Sequence, residues 1–247
     1  MEIAYIYDGS FPGLLTAVFT AFERREQPCV IAEEDGLQVS FGQRVSRIQS
    51  RDDLADRVEA GIRRKMGDEG YDNIWTAFLS CDTAKAVKIY RYIRLGMKLG
   101  VDIHSHISHE DVLPIINMNK YTGNEAHLLT GFVRFSLMEN GVYFAKITPK
   151  NNVLPIIMPH FADRYSDQPF LIFDRPHKLA GVFDLKGWYL VEADGLTLPD
   201  IAEDEEQWRG LWRKFYNTIS IKERANHKLR RGHLPKRYWE NMTEILL

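Results

Sequence analysis

Asn140-Gly141 constrains this chain more than any other pair of residues. It lies between two apolar runs, Phe132 to Met138 and Val142 to Ile147, and Asn-Gly in that setting is the strongest short-range hairpin signal a sequence carries. A helix ending over Glu125 to Leu129 leads through Gly131 into the first strand. A two-residue turn then sets Glu139 opposite Val142, Leu137 opposite Phe144, and Phe135 opposite Lys146. Side chains alternate along a strand. One face therefore carries Val133, Phe135, Leu137 and Phe144, and the other Phe132, Arg134, Met138, Tyr143 and Ile147. Both faces are apolar, so the hairpin is expected to be covered on both sides.

Arg134 is out of place in that pattern. A buried guanidinium needs a carboxylate or phosphate partner, which makes it either a structural ion pair or a ligand-facing arginine. Gly123, His127 and Gly131 recur every fourth residue on the preceding helix and share a face. Such a face has room for a second backbone or for a ligand.

The remaining periodicity gives a mixed α+β chain. A strand over Ile3 to Tyr7 turns at Asp8-Gly9-Ser10 into a helix over Phe11 to Arg25. DGSFPG is neither a dinucleotide fingerprint nor a Walker loop, so Asp8 reads as a turn or cap residue, with a catalytic carboxylate as the alternative. A strand over Cys29 to Ala32 follows. Helices are expected over Arg51 to Lys65, Tyr71 to Ser80, Thr83 to Gly100, Glu110 to Leu129 and Val153 to Tyr165, with Gly67 to Gly70 separating the first two. Strands over Phe170 to Asp174, Leu179 to Asp184 and Trp188 to Val191 form an antiparallel meander. Gln207 to Ile219 reads as a helix with an apolar stripe, and Pro235 starts a last short helix. The expectation is a mainly helical N-terminal half, then an antiparallel hairpin and meander with packed helices, then a basic helical tail. One compact unit over 1–247 is expected, with 1–120, 121–195 and 196–247 as its natural subdivisions.

Charge is unevenly placed. The chain carries a net charge of −2, yet residues 209–247 hold ten Lys and Arg against three Glu. A basic tail on an acidic body suits a polyanion partner. Lys222, Arg224, Lys228, Arg230, Arg231, Lys236 and Arg237 can bind backbone phosphates, and Tyr238 and Trp239 can stack on unpaired bases. The alternative is a basic face that neutralises the acidic body. A second basic face, Lys85, Lys88, Arg91, Arg94 and Lys98, lies along one helix.

Catalytic motifs are absent from the sequence: no serine elbow, Walker loop or deaminase signature occurs. His160 and Asp163 are helical neighbours, and a histidine beside a carboxylate can do acid–base work. His127 is a second candidate, and Arg164 shares the face of His160. His104, His106 and His109 match no metal-ligand spacing, and the two cysteines, Cys29 and Cys81, rule out a cysteine-rich metal site. No metal or other cofactor is therefore expected. Met1 to Tyr7 lacks a signal peptide's pattern and no apolar run approaches a membrane span. With so few cysteines, a cytoplasmic setting is expected.

Three blocks, Glu125 to Phe135, Pro159 to Asp174 and Ile221 to Glu244, together with the opening IYDGSFPGLLTAVFTAFERR, resemble one bacterial family of DNA repair or DNA metabolism proteins. The resemblance covers nearly the whole chain. It implies association with a radical S-adenosylmethionine (SAM) protein that modifies or repairs DNA, and a similar region is fused to a uracil-DNA glycosylase-like domain in some relatives. It maps onto Glu125, His127, Arg134, His160, Asp163, Arg164, Asp174 and the tail residues. Leu128 after His127, and the polar segment Asn117 to Asn124, depart from the family pattern. The expected function is DNA binding in support of repair or modification beside the radical SAM partner, on single-stranded or damaged DNA. Two alternatives stand: a hydrolase or glycosylase using His127 or His160, and an adaptor whose tail docks a protein.

Overall fold

A computed structural model describes residues 2–33, 44–194 and 235–242. The fold is α+β, and it divides into two units, Met1–Gly123 and Asn124–Leu247. The acidic segment expected to connect at Leu198 to Glu206, the helix expected over 207–219 and the tail positions Lys222, Arg224, Lys228, Arg230 and Arg231 lie outside the described residues. Among the described residues no helix is long and apolar enough to cross a membrane.

The first unit is built on strand β1 (Ile3–Tyr7), whose last four residues are buried. Apolar on both faces, it sits at the centre of a parallel sheet of order β2-β1-β3, with β2 (Val30–Glu33) and β3 (Arg44–Arg47) as its edges. Sequence reading gives no strand at β3, because RVSR has no apolar alternation. Its side chains are mostly exposed, and backbone pairing with Ile3 to Ile6 holds it.

Helix α1 (Phe11–Glu23) is capped by Ser10, whose Oγ accepts from Gly13 N at 2.9 Å. Asp8 Oδ1 in turn accepts from Ser10 N and Oγ at 3.0 and 2.7 Å. Burial would raise the Asp8 carboxyl, but these bonds hold it below its ordinary value. Asp8 is thus a turn and cap residue. Gly13 is required there, since a built Cβ would lie 2.0 Å from Asp8 Oδ1.

The break expected at Gly67 to Gly70 is present: the stretch α2 (Asp52–Phe78) is two helical segments that meet at Gly67, whose φ 75° and ψ 176° are not helical. Glycine takes that positive φ without the clash a side chain would bring. Helix α3 (Lys85–Leu99) packs against α2. Its basic side is partly engaged: Lys88 pairs with Asp82, and Arg94 donates to Gln27 Oε1 at 2.6 Å. The three histidines bond separately, His104 to Met66 O, His106 to Asp102 O and His109 to Asp111 N.

Helix α4 (Leu113–Phe132) carries the chain into the second unit, a five-stranded sheet of order β4-β5-β6-β7-β8. Strand β4 (Ser136–Leu137) is far shorter than expected, since α4 continues through Gly131 to Phe132. The register differs too. Ser136 pairs with Phe144 and Leu137 with Tyr143 of β5 (Tyr143–Ile147). The loop is three residues, Glu139 to Gly141, closed by Gly141 N to Met138 O at 2.9 Å and Met138 N to Val142 O at 3.0 Å. Gly141 has φ 79° and takes the left-handed position after a tight turn, which adds one residue to the loop and slips the pairing.

Helix α5 (Leu154–Arg164) connects β5 to β6 (Phe170–Asp174), and those two strands are parallel. Strands β7 (Leu179–Phe183) and β8 (Trp188–Glu192) complete the antiparallel meander. α5 packs closely on β7 at Gly181, where a Cβ would lie 2.3 Å from Met158 Sδ. The core of this unit centres on Leu154, Ile157, Met158, Phe161, Phe170 and Ile172.

Candidate functional site

The parallel pairing of β5 and β6 brings their carboxyl ends together, and the polar residues of the second unit gather there. Glu125 on α4 is the first centre. Its side chain is 5% exposed, and one carboxylate accepts five hydrogen bonds. Lys150 N, Arg237 Nη2 and Tyr238 Oη donate to Oε1 at 3.0, 2.6 and 2.6 Å. Asn151 donates to Oε2 through its backbone N at 2.8 Å and Nδ2 at 2.7 Å. Burial alone would raise the Glu125 carboxyl, yet the donors from Tyr238, Lys150, Asn151 and Arg237 outweigh it and hold the group below its ordinary value.

Asp174, the last residue of β6, is the second centre. It has no exposed surface, and both of its oxygens lie 2.9 Å from His177 Nδ1. Burial pushes the Asp174 carboxyl up; the His177 contacts oppose the shift without cancelling it, and the charge of Glu125 adds to it. The turn from Asp174 to Lys178 is held by His177 N on Asp174 Oδ1 and by a left-handed Lys178, φ 53°.

Two cations border these carboxylates. Lys146 on β5 and Arg175 beside Asp174 each approach Glu240 Oε1 at 3.9 Å. Glu240 lies on the short 3-10 helix Lys236–Asn241, whose Tyr238 packs near Phe132. Thr148, just past β5, donates to Arg237 O at 2.8 Å and ties that helix to the sheet.

The residues singled out in the sequence fall in different places. Arg237 and Tyr238 belong to the Glu125 cluster, and Tyr238 is only 2% exposed. Its ring is part of the core, so base stacking, as expected from sequence, would require it to leave its bonds to Glu125 and Arg237. Trp239 packs partly buried against the same core, and Lys236 is exposed. Arg134 Nη1 donates to the carbonyls of Gly131 and Val133 at 2.9 and 3.2 Å. A cation at the end of α4 also meets the negative pole of the helix.

His127 is exposed on α4, and His160, Asp163 and Arg164 are exposed on α5, where the His160 ring stands edge-on to Phe161. The structure does not bring His127 and His160 into the Glu125–Asp174 cluster. Among the described residues no second backbone packs on the Gly123, His127, Gly131 face, and a Cβ at either glycine meets nothing within 4 Å. A histidine within hydrogen-bond distance of a buried carboxylate is found at His177, which the sequence analysis does not single out. Its signal was Asp-Arg-Pro-His at the end of an apolar strand, a spacing that a tight turn folds back on itself.

No three His, Cys, Asp or Glu side chains converge as metal ligands among the described residues. No curated protein matches the sequence significantly. A family model described as a domain of unknown function, DUF4130, matches residues 83–244, about two-thirds of the sequence, and the chain belongs to that family.

Proposed function

We propose that this protein binds DNA and supports a repair or modification reaction beside a radical SAM partner. The observation that carries the reading is the convergence of Lys146 and Arg175 at the carboxyl ends of β5 and β6. Exposed Lys236 stands on the neighbouring 3-10 helix, and the residues preceding it in sequence add Lys222, Arg224, Lys228, Arg230 and Arg231. Cations so grouped neutralise backbone phosphates without reading bases. The resemblance drawn from sequence supplies the repair setting and the partner.

Equilibrium binding to single-stranded and duplex DNA across a salt series tests it. Wild-type protein is expected to bind with an affinity that falls steeply with salt. The Lys146→Ala, Arg175→Ala double variant should bind more weakly, with a log–log salt slope shallower by about 2 on duplex DNA. Absence of binding at low salt, or identical slopes for the two proteins, would overturn the reading.

A further inference from the structure

A fully buried carboxylate facing one histidine nitrogen is more than a turn requires. The turn between β6 and β7 needs only a neutral acceptor for His177 N, and an asparagine would serve. Burying an aspartate with no exposed surface is costly unless it is paired or protonated. Here both oxygens lie 2.9 Å from His177 Nδ1, and the His177 side chain remains 25% exposed. In its ionised state Asp174 accepts from the ring, which assigns the proton to Nδ1. Nε2, at the opposite edge of the ring, keeps its lone pair. Arg175 and Lys178 flank the histidine in sequence, Glu125 acts on Asp174 from α4, and Lys178 is drawn to Asp194 at 3.0 Å. Lys146 and Arg175 supply positive charge at the same strand ends.

We infer that Asp174 and His177 form an acid–base pair that hydrolyses a phosphodiester of single-stranded nucleic acid. The inference rests on the DNA-binding reading and places the chemistry on this chain. Phosphate oxygens lie against Lys146 and Arg175, displacing Glu240. Nε2 of His177 takes a proton from water as the water oxygen bonds to phosphorus. The bond from phosphorus to the leaving oxygen breaks, and its electron pair stays on that oxygen, which is protonated by solvent. His177 then returns its proton to water, so one water is consumed for each bond cut. Asp174 is the positioning residue, fixing the tautomer and steadying the imidazolium. The two cations offset the charge that builds on the phosphoryl oxygens.

The test uses the full chain, a mixed-sequence single-stranded oligonucleotide labelled at one end, and a chelator to silence stray metal nucleases. Wild-type protein should cleave the oligonucleotide. His177→Gln should lose at least about 100-fold in rate while binding it as tightly as wild type. Asp174→Asn should move the His177 proton from Nδ1 to Nε2, seen in long-range 1H–15N spectra, a shift that a purely structural role would not require. If that variant does not fold, His177→Gln and its melting curve decide the matter. Binding without cleavage by wild-type protein, cleavage undiminished in His177→Gln, or an unchanged tautomer in folded Asp174→Asn would each overturn the dyad and leave the DNA-binding reading standing. Loss of binding by wild-type protein would remove both.

Discussion

Arg237 reaches back across 112 residues to place Nη2 2.6 Å from Oε1 of Glu125. That bond, with Tyr238 Oη on the same oxygen at 2.6 Å, anchors the 3-10 helix of the tail to α4. A basic residue that sequence assigns to phosphate is spent on a buried carboxylate.

Glu125→Gln should destabilise the second unit by about 3 kcal/mol, because the Arg237 guanidinium then faces a neutral acceptor and one amide group cannot accept from all five donors. Urea denaturation measures the loss. The wild-type cluster also sets a pH dependence. Glu125 is held below its ordinary value in the fold, so its contribution is fully present above the unfolded carboxylate pKa and is lost as pH falls through the lower folded one. Asp174, raised in the fold, acts with the opposite sign and favours the fold as it protonates. The acid limb of the wild-type stability curve should therefore flatten in Glu125→Gln.

Tyr238→Phe removes a single hydroxyl donor from a charged acceptor. It should cost about 2 kcal/mol in denaturation. DNA affinity, measured on folded protein, should stay at the wild-type value, because the Tyr238 ring is buried.

Glu240 stands between Lys146 and Arg175 where a phosphate oxygen would be drawn. Glu240→Gln frees both cations without changing shape. DNA binding should strengthen by up to about fivefold, with the gain shrinking as salt rises. Fluorescence anisotropy at two ionic strengths checks both points.

Gly141, at φ 79°, closes the loop that slips the hairpin register. Gly141→Val should cost about 1–2 kcal/mol, whereas Gly141→Asn should cost much less, since asparagine tolerates the left-handed region. Thermal melts of the two variants give the comparison.

Much of the fold was legible in sequence because burial leaves a local period. Leu14, Leu15 and Val18 mark α1, and the short apolar run from Phe170 to Phe173 marks β6. The α+β class and the meander follow from such patterns. β3 was not legible, because its strand character lies in backbone pairing with β1 rather than in side chains. The hairpin register was misjudged by one residue, because Asn-Gly supports both a two- and a three-residue loop and only the chain's path chooses.

The site divides along the same line. Sequence by itself determined which residues are cationic, which helices are amphipathic, and that Arg134 needed a partner for its charge. Tertiary structure decided what each charge meets. Glu125, Asn151, Arg237 and the pair Asp174 and His177 come from four separate stretches. The parallel pairing of β5 with β6, and the return of residues 235–242 to α4, bring them to one strand end. Burial there is what converts an ordinary aspartate and glutamate into groups displaced in opposite directions, because desolvation is weighed at each site against the donors that reach it.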